Sequence, residues 1–119
     1  MGEAASLLLD PSCVAEIRQL ERTIGRSDLL AGFIRALEDN VAGFPAAFND
    51  RLARGDVKGA TRAAHTLKGS SLQLGAQALA ELFAGIEAAA KAGDYADALR
   101  RFDAGAALIA RSFEALKQV

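Results

Sequence analysis

Residues 56–75 read DVKGATRAAHTLKGSSLQLG, and the spacing inside this stretch decides the fold class. Asp56 is a helix-capping residue type placed just ahead of Val57, Ala60, Ala64, Leu67, Ser71 and Leu74, which recur at steps of three and four, the period of one helical face. Gly75 is suited to end that helix, because glycine enters the left-handed backbone region without a Cβ penalty. At about 100° per residue the apolar direction centres near Leu67 and Leu74, and His65 lies roughly 150° away from it. The only histidine of the chain is therefore expected to face solvent.

The same period runs outward in both directions. Toward the N-terminus, Asp10 caps a helix with Pro11 at its first position, and Val14, Ile17, Leu20 and Ile24 share a face until Gly25. Ser27 is read as the cap of the next helix, with the series Leu30, Ile34, Leu37, Val41, Phe44 and Phe48. Pro45 falls inside this series, so a kink or break is expected there. After the His65 helix comes one from about Gln77, with Leu79, Leu82, Phe83 and Ile86 inward, closed by Lys91, Ala92 and Gly93. Asp94 then caps a last helix, with a seam of Tyr95, Leu99, Phe102, Ala106, Ile109, Phe113 and Leu116.

Strand-type alternation is absent, and loops of a few residues force neighbouring helices to run antiparallel. The expected architecture is all-α: an antiparallel up-and-down four-helix bundle with an additional short N-terminal helix across it. At 119 residues it is read as one domain spanning 1–119, with residues 1–9 flexible.

Composition excludes several classes of function. Hydrophobic residues make up 51% and charged residues 24%, enough to build a core. The 14 basic and 15 acidic residues leave a formal charge of -1 with no long block of either sign, so no nucleic-acid contact is expected. Cys13 is the only cysteine, which rules out an intramolecular disulfide and a Cys-rich zinc site, and with one histidine no metal site is expected. No segment reaches the roughly 18 apolar residues of a membrane span. The expectation is a monomeric cytoplasmic domain without direct membrane contact, although a domain cut from a larger membrane-bound protein would read the same.

Chemistry concentrates around His65. Lys68 at i+3 and Gly69 at i+4 lie on its exposed stripe, with Thr61 and Arg62 one turn earlier. A neutral imidazole nitrogen is a competent nucleophile near neutral pH. A phosphoryl group placed on it would meet the Lys68 ammonium within one turn. Gly69 removes a side chain that would crowd the reacting atom, at a helix cost of about 0.5–1 kcal/mol. Leu72 falls within about 20° of His65, where no core residue is expected, and with Thr61 and Arg62 is read as a partner-docking residue. Gln77 and Glu87 are candidates to approach from the following helix. Ser70 and Ser71 are read as small packing residues, and Cys13 as an inert small hydrophobe.

The run His65, Lys68, Gly69, Ser70, Ser71 and Gly75 resembles the signature of the histidine phosphotransfer domains of bacterial two-component phosphorelays. The likeness extends to the opening Leu-Asp-Pro, the Gly-Asp turn before the His helix, and Leu82 with Glu87 after it. It implies His65 as phospho-acceptor, Lys68 as support for the phosphoryl group and Gly69 as access for a partner. That partner would be a response-regulator receiver domain whose phospho-aspartate and Mg²⁺ exchange the group with His65, with no cofactor bound by this chain and no kinase activity of its own.

Rival readings have less support. A Ser-His-Asp hydrolase would need a Gly-x-Ser-x-Gly elbow, which is absent. The dimerisation domain of a sensor histidine kinase normally has an acidic residue directly after its histidine and a proline a few residues on; here Thr66 follows and no proline does. The alternative from another class is a non-phosphorylated helical docking module for a receiver domain or sensor kinase.

Overall fold

A computed structural model describes residues 8–119. The described residues form seven helices and no strand: α1 (Pro11–Ile24), α2 (Leu29–Ala42), α3 (Phe44–Ala53), α4 (Val57–Gln73), α5 (Gln77–Lys91), α6 (Tyr95–Ala104) and α7 (Ala106–Lys117). The all-helical expectation holds, but the count of five does not. Two of the expected helices are each broken by one glycine. Gly43 separates α2 from α3, leaving Pro45 in the first turn of α3, where a missing N–H costs little. Gly105 separates α6 from α7 at a point where the chain presses on α5. A Cβ there would run into the Leu82 side chain and crowd the Arg101 carbonyl, so close approach has displaced helical continuity.

Residues 1–7 of the segment expected to be flexible lie outside the described residues. Leu8 and Leu9 are described, and both are buried in the main hydrophobic cluster.

At the start of the fold Asp10 caps α1 as expected, accepting from the Ser12 N–H at 3.0 Å. The buried face of α1 is another matter. Val14 is buried and Ile17 half-buried, but Leu20 and Ile24 are 46% and 49% exposed, and Glu21 is buried in their place. The Glu21 carboxylate accepts from the Leu30 N–H at 3.0 Å and from Arg18 at 3.0 Å. It thus satisfies an orphan donor at the start of α2, the task expected of Ser27. The N-cap position itself is Asp28, whose carboxylate is bound to Arg26 instead.

The core that supports the site is aromatic. Phe44 meets Phe48, Phe83 and Phe102 at ring-centroid distances of 5.3, 5.5 and 5.4 Å, tying α3, α5 and α6 together. Each fully buried phenylalanine contributes about 1.5–3 kcal/mol. The most extensive pairing is α4 against α5, joined by only three residues and therefore folded back as a hairpin. Gly75 makes that hairpin tight. It takes φ 73°, the Ala76 N–H returns to the Ser71 carbonyl at 2.8 Å, and its own carbonyl accepts from the Asp10 N–H at 2.6 Å. The end of α4 is thereby bound to the start of α1.

Candidate functional site

Helix α4 begins and ends as its sequence dictates, which fixes the rotation of His65. Asp56 accepts from the Gly59 N–H at 2.9 Å, and Ala60, Ala64, Leu67, Ser71 and Leu74 are buried along one stripe. Ser71 spends its hydroxyl on the Leu67 carbonyl at 2.7 Å, a packing role. The opposite stripe carries the chemistry. The His65 side chain is 62% exposed, and no heavy atom outside the local helix lies within 4 Å of a Cβ built on Gly69. The backbone below the imidazole is open, as access for a partner requires.

From α5, Glu87 meets this stripe while only 7% of its side chain is exposed. Its Oε2 lies 3.0 Å from His65 Nδ1 and 3.2 Å from Lys91 Nζ, and its Oε1 lies 3.0 Å from Lys68 Nζ. Burial disfavours the charged carboxylate, yet the hydrogen bonds from Lys68, Lys91 and His65 prevail and hold Glu87 below the usual glutamate value. It is therefore an anion at neutral pH. An ionised carboxylate only accepts, so Nδ1 must carry the ring proton, and the lone pair is left on Nε2. The tautomer is thus set by a buried group, while most of the imidazole is exposed.

The sequence-predicted residues fall into three groups. His65, Lys68 and Glu87 are brought together in direct contact, with Gly69 beside them. Thr61 and Arg62 line one open groove of ≈ 450 Å³ with His65, and Leu72, 53% exposed, continues the stripe two turns on. Gln77 is not brought to the site. It opens α5, ten residues and about 15 Å of helix away from Glu87. Sequence reasoning missed Lys91, Lys58 and Tyr95, which line the same groove. Lys91 had a signal: it lies four residues after Glu87, one turn along the same face.

Among the described residues no group of three or more histidine, cysteine or carboxylate side chains is arranged to hold a metal ion, and no helix is long and apolar enough to cross a membrane. The family model of the Hpt domain matches residues 28–119, more than half of the chain. The chain belongs to the Hpt domain family, the histidine-containing phosphotransfer modules of two-component phosphorelays, which carry phosphoryl groups and are not kinases. Helix α1, with Glu21, precedes the matched span. No curated protein and no solved structure matches the chain.

Proposed function

We propose that this domain accepts a phosphoryl group on His65 Nε2 from the phospho-aspartate of a receiver domain and passes it to another receiver, or the reverse. The observation that carries this reading is the buried Glu87 carboxylate on His65 Nδ1, flanked by two lysines. The Nε2 lone pair attacks phosphorus, the N–P bond forms, and the P–O bond of the acyl phosphate breaks to release the aspartate carboxylate. The ring keeps its Nδ1 proton and gains positive charge as the bond forms. Glu87, already placed against Nδ1, stabilises that charge without reorganisation. Lys68 is placed to turn from Glu87 toward the phosphoryl oxygens, in line with a reaction catalysed mainly by positioning and charge neutralisation.

Gly69 leaves room for the partner's backbone, and Thr61, Arg62 and Leu72 offer it a docking surface. Mg²⁺ is expected on the receiver, and none on this chain. In this reading the broken pairs α2–α3 and α6–α7 complete, with α4 and α5, the antiparallel four-helix layout, and α1 lies across it. The domain works as a monomer in the cytoplasm, free-standing or joined to a hybrid sensor kinase.

Incubation with a phosphorylated receiver domain and Mg²⁺ tests the reading. Acid-labile, base-stable label is expected on the wild-type chain and none on His65→Gln, which still binds the receiver. A wild-type chain that binds receivers and takes no label would be a docking module instead.

A further inference from the structure

The two flanks of the α4 nucleophile stripe differ in charge. On one side, exposed Lys58 and Arg62 share the His65 groove with Lys91, around an apolar strip made by Val57, 42% exposed, and half-buried Tyr95. Among the described residues Lys58 and Arg62 form no close ion pair, although Asp56 feels the charge of Arg62, and three acids of the adjoining elements are already engaged. Asp56 holds the Gly59 N–H and Arg51, Asp94 holds the Asp97 N–H, and Glu87 lies buried beneath its three donors. On the other side, a groove with Ile17, Phe33, Asn40, Ser70, Gln73 and Leu74 on its walls has no charged lining residue. A chain of formal charge -1 thus gathers three cations at one mouth of its nucleophile.

We propose that the α4–α5–α6 groove docks an acidic segment of the protein that exchanges phosphoryl groups with His65, its carboxylates meeting Lys58, Arg62 and Lys91 and an apolar side chain seated on Val57 and Tyr95. The inference rests on His65 being the phosphoryl carrier. Cations at a cleft mouth attract an acidic partner before contact and set its orientation, an effect that salt screens. The uncharged groove on the other flank has no such means of selecting charge.

The test uses the receiver domain, among those encoded by the same genome, that labels His65 fastest. Initial transfer rates are measured against receiver concentration for the wild type, Lys58→Ala/Arg62→Ala and Lys58→Glu/Arg62→Glu, at ionic strengths of about 0.02 and 0.15 M. Lys58 and Arg62 are both exposed on the surface, so both variants are expected to fold. For the alanine pair KM is expected to rise on the order of tenfold at low salt, and further for the glutamate pair, with kcat within about twofold and the salt dependence of KM flattened. Label on His65 with KM and salt dependence unchanged in both variants overturns the groove and leaves the carrier reading standing. Absence of label on the wild type from every receiver overturns both.

Discussion

His65 Nδ1 and Glu87 Oε2 lie 3.0 Å apart across the α4–α5 hairpin, and the same carboxylate holds both lysines of the site. One buried anion therefore sets the imidazole tautomer and keeps two cations within reach of it. Removing it should be felt in chemistry more than in folding. Glu87→Ala is expected to slow receiver-to-His65 transfer by roughly 10–100-fold, the usual cost of losing an orienting partner, with Glu87→Gln in between because its carbonyl still accepts from Nδ1. Rapid-quench transfer assays measure this, and wild-type rates in Glu87→Ala would separate the carboxylate from the reaction.

Lys68 pairs with Glu87 at 3.0 Å, and in the proposed mechanism it turns to the phosphoryl group after transfer. Lys68→Ala is expected to slow transfer and shorten the phosphohistidine lifetime while the fold is kept. It also leaves Glu87 Oε1 short of a donor, a cost of about 1–3 kcal/mol. Label decay and urea unfolding read the two effects separately. An unchanged transfer rate would take Lys68 out of the mechanism.

Gly69 and Gly75 differ in what a side chain would meet, and substitution separates them. A Cβ at Gly69 meets nothing, so Gly69→Ala should stabilise α4 by about 0.5–1 kcal/mol, while Gly69→Gln should fold normally and lose receiver affinity. At Gly75 a Cβ would strike the Asp10 carbonyl and sit in left-handed backbone, so Gly75→Ala should destabilise by about 1–3 kcal/mol. Denaturation midpoints and receiver titrations check both. Normal receiver binding by Gly69→Gln would argue against close backbone approach.

Glu21 gives the α1–α2 junction an acid limit. The Leu30 N–H, and then Arg18, hold its carboxyl below the usual glutamate value. The native state therefore binds fewer protons there than the unfolded chain. Its contribution is complete above the unfolded value of about 4.3 and is lost as pH falls through the native value. Glu21→Gln is expected to be less stable at neutral pH and to lose less stability than the wild type on acidification. Urea midpoints from about pH 3 to 7 show this; parallel curves for the two proteins would contradict it.

Much of the site was legible because its determinants are local. The steps of three and four from Val57 to Leu74 orient His65, and the Asp56 and Gly75 ends of α4 follow from capping chemistry alone. The buried Glu21 was not singled out, because how much of α1 meets the core is set by its neighbours and not by its own sequence. The series Val14, Ile17, Leu20 and Ile24 looks like a buried face, but only its first half meets the core. The break at Gly105 depends on Leu82, 23 residues away, and no periodicity in the last helix reveals it. Lys91 stood one turn from Glu87 and was within reach of sequence reasoning, whereas Gln77 was offered as a candidate to approach the site although helical rise carries it to the far end of α5.

The most direct test of the central claim is heteronuclear ¹⁵N–³¹P NMR on ¹⁵N-histidine-labelled chain after phosphorylation by a receiver domain with Mg²⁺. With one histidine in the sequence, assignment needs no mutant. The account expects coupling of phosphorus to Nε2, with Nδ1 protonated or hydrogen-bonded to Glu87. Phosphorus on Nδ1, or on any group other than His65, would contradict it.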